Sequence, residues 1–180
     1  GRRIIIWSEF PLLAEHIDRL PSDVIDGIRG PRKDEAFLRA EEAHGIRQLA
    51  YCPIQGAEAL FPSYFDRPAG DGRMTRGRLS DAVAVTTLEG EGFIGALATA
   101  WDDAGLHNET FWLGWAVMAA GGWTPGAVTL HEDVESFFEL HYGRGAQGMR
   151  SIHAGLQDGA RFFERIWDRR PSPVRGPAYG

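Results

Sequence analysis

Tryptophan and acidic side chains follow two aliphatic segments of this sequence, at the point where each segment ends. They are Trp7 and Glu9 after the first segment, and Trp101, Asp102 and Asp103 after the second. An indole ring stacks on the apolar C–H face of a pyranose, and a carboxylate accepts directional hydrogen bonds from the hydroxyl groups of the sugar. These residue types in this arrangement therefore favour a carbohydrate-binding site.

A tyrosine and a cysteine close a third aliphatic segment. Tyr51 offers one more hydrogen bond to a sugar, whereas Cys52 has no basic neighbour in the sequence and is interpreted as a small buried hydrophobe. These residue types also have plainer roles. A tryptophan at a strand end often packs in the core, an aspartate there often forms a turn, and Glu9 is equally suited to holding a neighbouring loop. Arg29 closes a fourth segment, and the concentration of such residues at four ends favours the site.

Other chemistries leave no pattern in the sequence. The spacing of histidine, cysteine and acidic residues matches no metal site, and no Gly-x-Ser-x-Gly, phosphate-binding or dinucleotide-binding glycine motif occurs. We therefore expect neither a metal nor a cofactor. His107-Asn108-Glu109 is interpreted as a helix start, with Asn108 and Glu109 as cap and dipole partner.

The segments that position these residues alternate between strand and helix. Aliphatic, β-branched runs predict strands at residues 3–8, 24–28, 46–52 and 93–100, with Pro53 ending the third. Apolar spacing predicts helices at residues 12–20, 34–44, 79–88 and 109–120, and the last is expected to be buried because it is apolar on nearly all sides. The long segment 54–77, rich in glycine, proline and charge, is expected to be a functional loop or an excursion over a site.

This alternation predicts an α/β fold with a parallel sheet and helices packed outside it. Four βα units are half of an eight-unit barrel, so we expect the C-terminal half of a (β/α)8 TIM barrel, followed by C-terminal helices. In such a barrel the site lies at the C-terminal ends of the strands. A free-standing four-stranded parallel sheet is the alternative, although its edges and one face would need cover.

The chain is expected to divide near residue 125. Residues 1–125 carry the alternating pattern of the barrel half, and residues 126–180 are expected to form a helical extension packed on the barrel. Thr129 and Glu132 have the spacing of a capping box at the start of a helix. A longer final helix is expected at residues 149–167.

Charge and composition exclude some partners. The sequence of 180 residues has 19 basic and 25 acidic residues, a net charge of −6, and no long run of lysine or arginine, which argues against a nucleic-acid partner. No apolar run approaches the roughly 18 residues of a membrane span, so no membrane partner is expected. The single cysteine rules out an internal disulfide and is compatible with both the cytoplasm and secretion. Because the sequence starts inside a predicted strand and without methionine, we expect a piece of a longer protein.

Several of these segments resemble one enzyme family. Residues 92–105, Gly-Phe-Ile-Gly-Ala-Leu-Ala-Thr-Ala-Trp-Asp-Asp-Ala-Gly, resemble the last barrel strand of glycoside hydrolase family 20, the β-N-acetylhexosaminidases. Ile4-Ile5-Ile6-Trp7-Ser8-Glu9 is similar to the fifth strand of that family, and Asp23-Val24-Ile25 to the start of its sixth. The apolar segment 111–123 is similar to the helix after its eighth strand. The resemblance covers residues 1 to about 125, and Trp-Asp-Asp-x-Gly is its most specific element.

The resemblance implies hydrolysis of terminal N-acetylglucosamine or N-acetylgalactosamine with retention, in which the acetamido oxygen of the substrate is the nucleophile. It implies that Trp7 and Trp101 wall the pocket, that Tyr51 contacts the acetamido group, and that Asp102 or Asp103 binds a hydroxyl. The family's general acid is a glutamate in a His-x-Gly-x-Asp-Glu sequence on the fourth strand. This chain has no such sequence, so no catalytic residue is expected here, and the remaining N-terminal half of the barrel is the expected partner.

Two departures from the family and two alternative functions remain. Ser8 stands between Trp7 and Glu9, and Arg29 stands where a tryptophan commonly closes the sixth strand, which puts the pocket floor in doubt.

A non-catalytic carbohydrate-binding barrel, or a fragment lacking the catalytic acid, is the first alternative, and a barrel fragment with purely structural tryptophans is the second. An Asp-Glu pair in the preceding half would distinguish the enzyme from the binder.

Overall fold

The computed structural model describes residues 3–7, 12–29, 35–56, 58–88, 93–102 and 105–166, with the backbone alone at residues 28 and 29. The fold is mixed α/β, as predicted. Its main sheet has four parallel strands in the order β1-β2-β3-β6. They are β1 (Ile5–Ile6), β2 (Ile25–Arg29), β3 (Arg47–Gln55) and β6 (Phe93–Ala100). Two short strands, β4 (Arg67–Pro68) and β5 (Met74–Thr75), pair antiparallel within the long connection after β3.

Five α-helices accompany the strands in the described part of the chain. They are α1 (Glu35–His44), α2 (Arg78–Thr86), α3 (Trp112–Trp123), α4 (Leu130–Tyr142) and α5 (Met149–Ile166). Three short 3-10 helices are also described, at Ala14–Arg19, Asn108–Thr110 and Gly143–Gly145. The predicted helix at residues 12–20 is therefore a 3-10 segment, and the other predicted helices are confirmed with shifted ends. The capping box of Thr129 and Glu132 at the start of α4 is also confirmed.

β3 continues through Pro53, so the prediction that this proline ends the strand is wrong. Pro53 pairs with Thr99 of β6, whereas the pairing of β3 with β2 ends at Ala50 and Arg29. A proline in a strand costs a ladder hydrogen bond only where its missing N–H would face a partner. Within the described residues β2 ends at Arg29, and β3 continues beside β6 through Pro53 as far as Gln55.

The helices pack on one face of the sheet. Cys52 and Ile54 of β3 are buried in the main core with side chains of α2, α3 and α4. On the same face of β3, Gln48 Nε2 donates to Glu41 Oε2 of α1 at 2.5 Å. The long connection after β3 also enters this layer. Phe61 and the fully buried Tyr64 belong to the main core, so this part of segment 54–77 packs among the helices, and the expected excursion over a site is wrong for it.

The opposite face of the sheet is concave. A Cβ atom added at Gly27 of β2 would lie 3.5 Å from Cδ2 of Leu97 in β6, although β3 separates these strands. Strands two places apart in a flat sheet are about 9–10 Å apart, so the sheet curves towards this face. Ile4 and Ile5 on the β1 side are 65% and 57% exposed. The first strand was expected to be buried, and this is wrong for its described residues because β1 is an outer strand.

α3 is buried on one side alone, which corrects the expectation of a helix buried throughout. Leu113 and Val117 pack in the main core. Trp112 and Trp115 are exposed, and Trp123 is 88% exposed. One side of α3 packs in the core. The other side is also apolar, but no described helix or strand covers its tryptophans.

The Gly114→Ala variant is expected to lower stability, while Gly122→Ala in the same helix is not. A Cβ atom at Gly114 would lie 2.9 Å from Cβ of Ile54 and 3.0 Å from Cε1 of Tyr64, whereas nothing lies within 4 Å of one at Gly122. Overpacking a core costs about 1–3 kcal/mol, and alanine at an open helical position gains about 0.5–1 kcal/mol. Urea unfolding compares the two variants. A Gly114→Ala protein as stable as Gly122→Ala would contradict the close packing of α3 on β3.

α5 carries a buried histidine that is enclosed by aromatic rings. His153 meets Phe61 and Phe138 edge-on, with ring centroids 5.4 and 5.0 Å away. Its Nε2 lies 3.4 Å from Tyr142 Oη, and its Nδ1 finds no hydrogen-bond partner among the described residues. Burial, and to a smaller extent the charge of His141, lowers the pKa of His153 below the usual 6.5.

The free energy of unfolding is expected to fall as the pH drops below 6.5, the ordinary pKa of histidine. The unfolded chain then takes up a proton that the folded protein excludes until its own, lower pKa is reached. His153→Phe is expected to remove this part of the pH dependence, and the exposed His131→Phe to retain it. Urea unfolding of the three proteins at neutral and acid pH measures the difference. An equal acid loss in wild type and His153→Phe would contradict the assignment.

Candidate functional site

Trp7, Tyr51 and Trp101 meet at the C-terminal end of the main sheet, and we call them the aromatic cluster. Trp7 follows β1, Tyr51 lies in β3 and Trp101 follows β6. The ring centroid of Trp7 is 5.1 Å from that of Tyr51 and 5.6 Å from that of Trp101, both edge-to-face. Trp7 is 42% exposed and Trp101 is 48% exposed. The structure therefore brings three predicted site residues together and leaves ring surface open to solvent.

The cluster spans the whole width of the sheet. β1 and β6 are its outer strands, and in a flat sheet they would lie about 14 Å apart. Contact between Trp7 and Trp101 across that width follows from the curvature described above together with the length of two indole side chains. The cluster is therefore built on the concave face.

The hydroxyl group of Tyr51 is left as a donor. Its oxygen accepts hydrogen bonds from Trp101 Nε1 at 2.6 Å and from Thr99 Oγ1 at 2.9 Å. A phenol oxygen has two acceptor positions and one proton. With both positions filled, the proton is available to a carbonyl or hydroxyl oxygen of a ligand. The indole N–H of Trp101 is also used, so the exposed surface of that ring is its apolar part.

Asp102 forms a tight turn directly after β6. Its φ of +49° is in the left-handed region that a side chain rarely adopts. Asp102 Oδ1 accepts a hydrogen bond from the N–H of Leu106, and its carbonyl accepts one from Gly105 at 3.0 Å. The turn-forming role that the sequence left open is therefore present. Within the described residues Leu106 alone hydrogen bonds to the carboxylate, which leaves Oδ2 for a ligand.

Gln55 joins β3 to this turn, and its role was missed in the sequence. The side chain is fully buried, and its Oε1 accepts the N–H of Asp102 at 2.7 Å. Its carbonyl oxygen accepts the N–H of Trp101 at 3.4 Å. No sequence signal marked this residue, because the predicted strand stopped before it and placed it in a loop.

A buried carboxylate fastens the chain that follows Gln55. Glu58 Oε2 accepts the N–H of Gly56 at 2.6 Å. Glu58 Oε1 accepts Nε of Arg78 at 2.9 Å and the N–H of Ser63 at 3.4 Å. The carbonyl oxygen of Glu58 lies 3.5 Å from Nε2 of Gln55. One side chain therefore ties the end of β3 to the start of α2.

Two predicted site residues, Glu9 and Asp103, lie outside the described residues, as does the side chain of Arg29. Cys52 is buried as expected, and burial raises the pKa of its thiol to about 11. The expected cap at Asn108 is wrong. His107 is the cap, with Nδ1 accepting the N–H of Glu109 at 3.3 Å, since a 3-10 segment begins at Asn108.

The described ranges contain no group of three or more histidine, cysteine or acidic side chains placed to hold a metal ion. Within the same ranges, no helix combines the length and the apolar character that crossing a membrane requires. A surface groove of about 330 Å³ lies between α3 and α4, lined by Ala116, Ala120, Asp133, Ser136, Phe137, Leu140 and His141. None of the residues that line this groove belongs to the aromatic cluster.

Known proteins give no further guide to this site. Compared with protein-family models, with curated proteins and with solved structures, the chain matches none.

Proposed function

We propose that residues 1–125 form the C-terminal half of a (β/α)8 barrel of the family 20 type, and that the chain supplies the substrate-binding half of a β-N-acetylhexosaminidase-like hydrolase. One observation carries the proposal. The aromatic cluster lies at the C-terminal end of parallel strands, on the concave face of their sheet, and Asp102 follows Trp101 directly in the chain. In a (β/α)8 barrel this is where substrates bind.

The order of the strands supports the barrel part of the proposal. Four parallel strands follow one another in chain order across the sheet, the sheet is curved, and the core helices pack on its convex side. Half of a barrel requires each of these features. A second set of four strands would pair with the outer edges of β1 and β6 and enclose the concave face.

The chemistry of the site supports a sugar with an acetamido group. The exposed rings of Trp7 and Trp101 offer apolar surface to pyranose C–H groups. The free proton of Tyr51 matches an acetamido carbonyl oxygen, and Oδ2 of Asp102 matches a sugar hydroxyl. N-acetylglucosamine and N-acetylgalactosamine both fit this description, and Asp103 is proposed as a further hydroxyl ligand.

The proposed reaction divides between the two halves. The acetamido oxygen of the substrate attacks the anomeric carbon while a glutamic acid of the other half protonates the leaving oxygen. Water then opens the cyclic intermediate and the configuration is retained. Tyr51, hydrogen bonded by Trp101 and Thr99, would hold the acetamido group in place for attack.

Binding is tested by titrating the chain with N-acetylglucosamine, N-acetylgalactosamine and unsubstituted glucose while indole fluorescence is recorded. We expect saturable quenching by at least one acetamido sugar and a weaker response to glucose, because glucose lacks the carbonyl that Tyr51 would bind. A folded chain that responds to none of the three sugars would contradict the proposal.

Hydrolysis is tested with a p-nitrophenyl N-acetylhexosaminide. The chain alone is expected to release no p-nitrophenol, because it has no His-x-Gly-x-Asp-Glu sequence. The protein joined to a barrel half that carries the Asp-Glu pair is expected to release it. Sugar binding without turnover in that folded protein would favour the non-catalytic carbohydrate-binding barrel instead.

A further inference from the structure

We infer that Gln55 is a positioning residue, whose buried amide holds the turn at Asp102 and thereby sets the directions of Trp101 and of the Asp102 carboxylate. Its effect on sugar binding rests on the proposed function. Its effect on the turn does not, because that effect is a property of the free protein.

Gln55 lies at the end of the ladder between β3 and β6. β3 and β6 pair up to Gln55 and Ala100, and the register shifts between Pro53 and Gln55. Beyond this point no regular ladder holds the chain at Trp101 and Asp102. There Gln55 accepts two hydrogen bonds, from the N–H of Trp101 at its carbonyl oxygen and from the N–H of Asp102 at its Oε1.

The contact with Gln55 helps to maintain the backbone conformation of Asp102. Asp102 has a φ of +49°, in the left-handed region that most residues with a side chain avoid and that aspartate tolerates better than others. Gln55 holds the N–H of Asp102, and Leu106 holds its Oδ1. Asp102 is therefore held by one hydrogen bond at its main-chain N–H and by another at its side chain. Together these two hydrogen bonds determine the direction of the unused Oδ2.

The side chain of Gln55 is itself held in place. Gln55 is fully buried, and its Nε2 lies 3.5 Å from the carbonyl oxygen of Glu58. The strong contact is at the oxygen end, where the N–H of Asp102 lies 2.7 Å away, and the longer contact to Glu58 lies on the nitrogen side. Trp101 and Asp102 share a peptide bond. The hydrogen bonds that hold this backbone therefore also position the Trp101 ring against Tyr51 and Trp7.

The test compares two buried glutamines of β3. Gln55→Met removes the acceptor at nearly constant length. Gln48→Met makes the same change on the same strand, where the side chain bonds to Glu41 instead. The readouts are hydrogen exchange at the Asp102 amide, the NMR resonance of the Trp101 indole N–H, and the affinity for the sugar that quenches wild type.

Gln55→Met is expected to speed exchange at the Asp102 amide by up to about tenfold, because this amide loses the hydrogen bond that it donates to Gln55. We also expect it to shift the Trp101 indole resonance and to weaken sugar binding several-fold, while Gln48→Met leaves all three unchanged. Unchanged exchange and indole resonance in Gln55→Met, or equal changes in Gln48→Met, would overturn the inference.

The experiment also gives an answer if wild type binds no sugar or if Gln55→Met does not fold. If wild type binds no sugar, the proposed function fails, and exchange and the indole resonance still decide the role of Gln55. If Gln55→Met does not fold, hydrogen exchange of wild type decides the role of Gln55. The Asp102 amide lies beyond the last pair of the β3–β6 ladder and is expected to be protected because it donates to Gln55 Oε1. An unprotected Asp102 amide in folded wild type would overturn the inference.

Discussion

Replacing Trp101 by alanine is expected to weaken the binding of N-acetylglucosamine by about tenfold or more. The half-exposed indole offers apolar surface to the sugar, and removing such contact costs about 1–3 kcal/mol, where 1.4 kcal/mol is a factor of about ten in affinity. The change also removes the N–H that fills one acceptor position of Tyr51, so Tyr51 loses its fixed orientation. Fluorescence quenching or calorimetry measures the change.

Two variants serve as controls for Trp101. Trp101→Phe keeps a ring and loses the N–H, so an intermediate affinity is expected if stacking and the Tyr51 contact both contribute. Trp123→Ala removes a more exposed indole at the end of α3, and it should bind as wild type does. Equal affinities of Trp101→Ala and Trp123→Ala would place the sugar away from the aromatic cluster.

Replacing Glu58 by alanine is expected to produce the largest loss of stability among the polar substitutions considered. The change removes the hydrogen-bond acceptor of the N–H groups of Gly56 and Ser63 and of the guanidinium group of Arg78. Removing one partner of a buried ion pair costs about 3–5 kcal/mol. The lower end is expected here, because the Arg78 side chain is still 28% exposed. At about 2–4 °C per kcal/mol for a chain of this size, the melting temperature should fall by roughly 6–12 °C.

Asp71→Ala is the matched control for Glu58→Ala. Asp71 lies in the same connection between β3 and α2 and pairs with Arg73, but both side chains are largely in water. Surface ion pairs of this kind contribute little, so no measurable change in melting temperature is expected. Similar melting temperatures for the two variants would contradict the view that Glu58 fastens the connection.

The strands and helices could largely be predicted from local pattern. The predicted strand at residues 93–100 has the observed bounds, and the capping box at Thr129 was recognised because its two side chains are three residues apart. Pro53 was misjudged because a proline in a strand depends on where the neighbouring strand ends, which only the assembled sheet determines. The prediction that the helix at residues 109–120 is buried on nearly all sides was wrong at Trp112 and Trp115 for a similar reason. The sequence reports how apolar a helix is, and not which of its sides finds a partner.

The residues of the candidate site were found by type and by place. Trp7, Tyr51 and Trp101 stand at the ends of segments that read as strands, and parallel strands bring such ends to one edge of a sheet. Gln55 could not be found in this way, because its role depends on a buried contact with a residue 47 positions later. The left-handed turn at Asp102 was hidden as well, since aspartate after a strand is compatible with several backbone conformations.

The outer edge of β6 has a practical consequence. This strand extends for eight residues, Phe93–Ala100, and β3 is its one neighbour in the described sheet. Among the described strands none pairs with the other side of β6 between Ile94 and Ala100, and the main-chain groups of such an edge act as a template for a further strand. Left uncovered, the edge would recruit other copies of the chain, so aggregation should increase with protein concentration. Strands that completed the sheet would then protect the chain from self-association in addition to finishing its architecture.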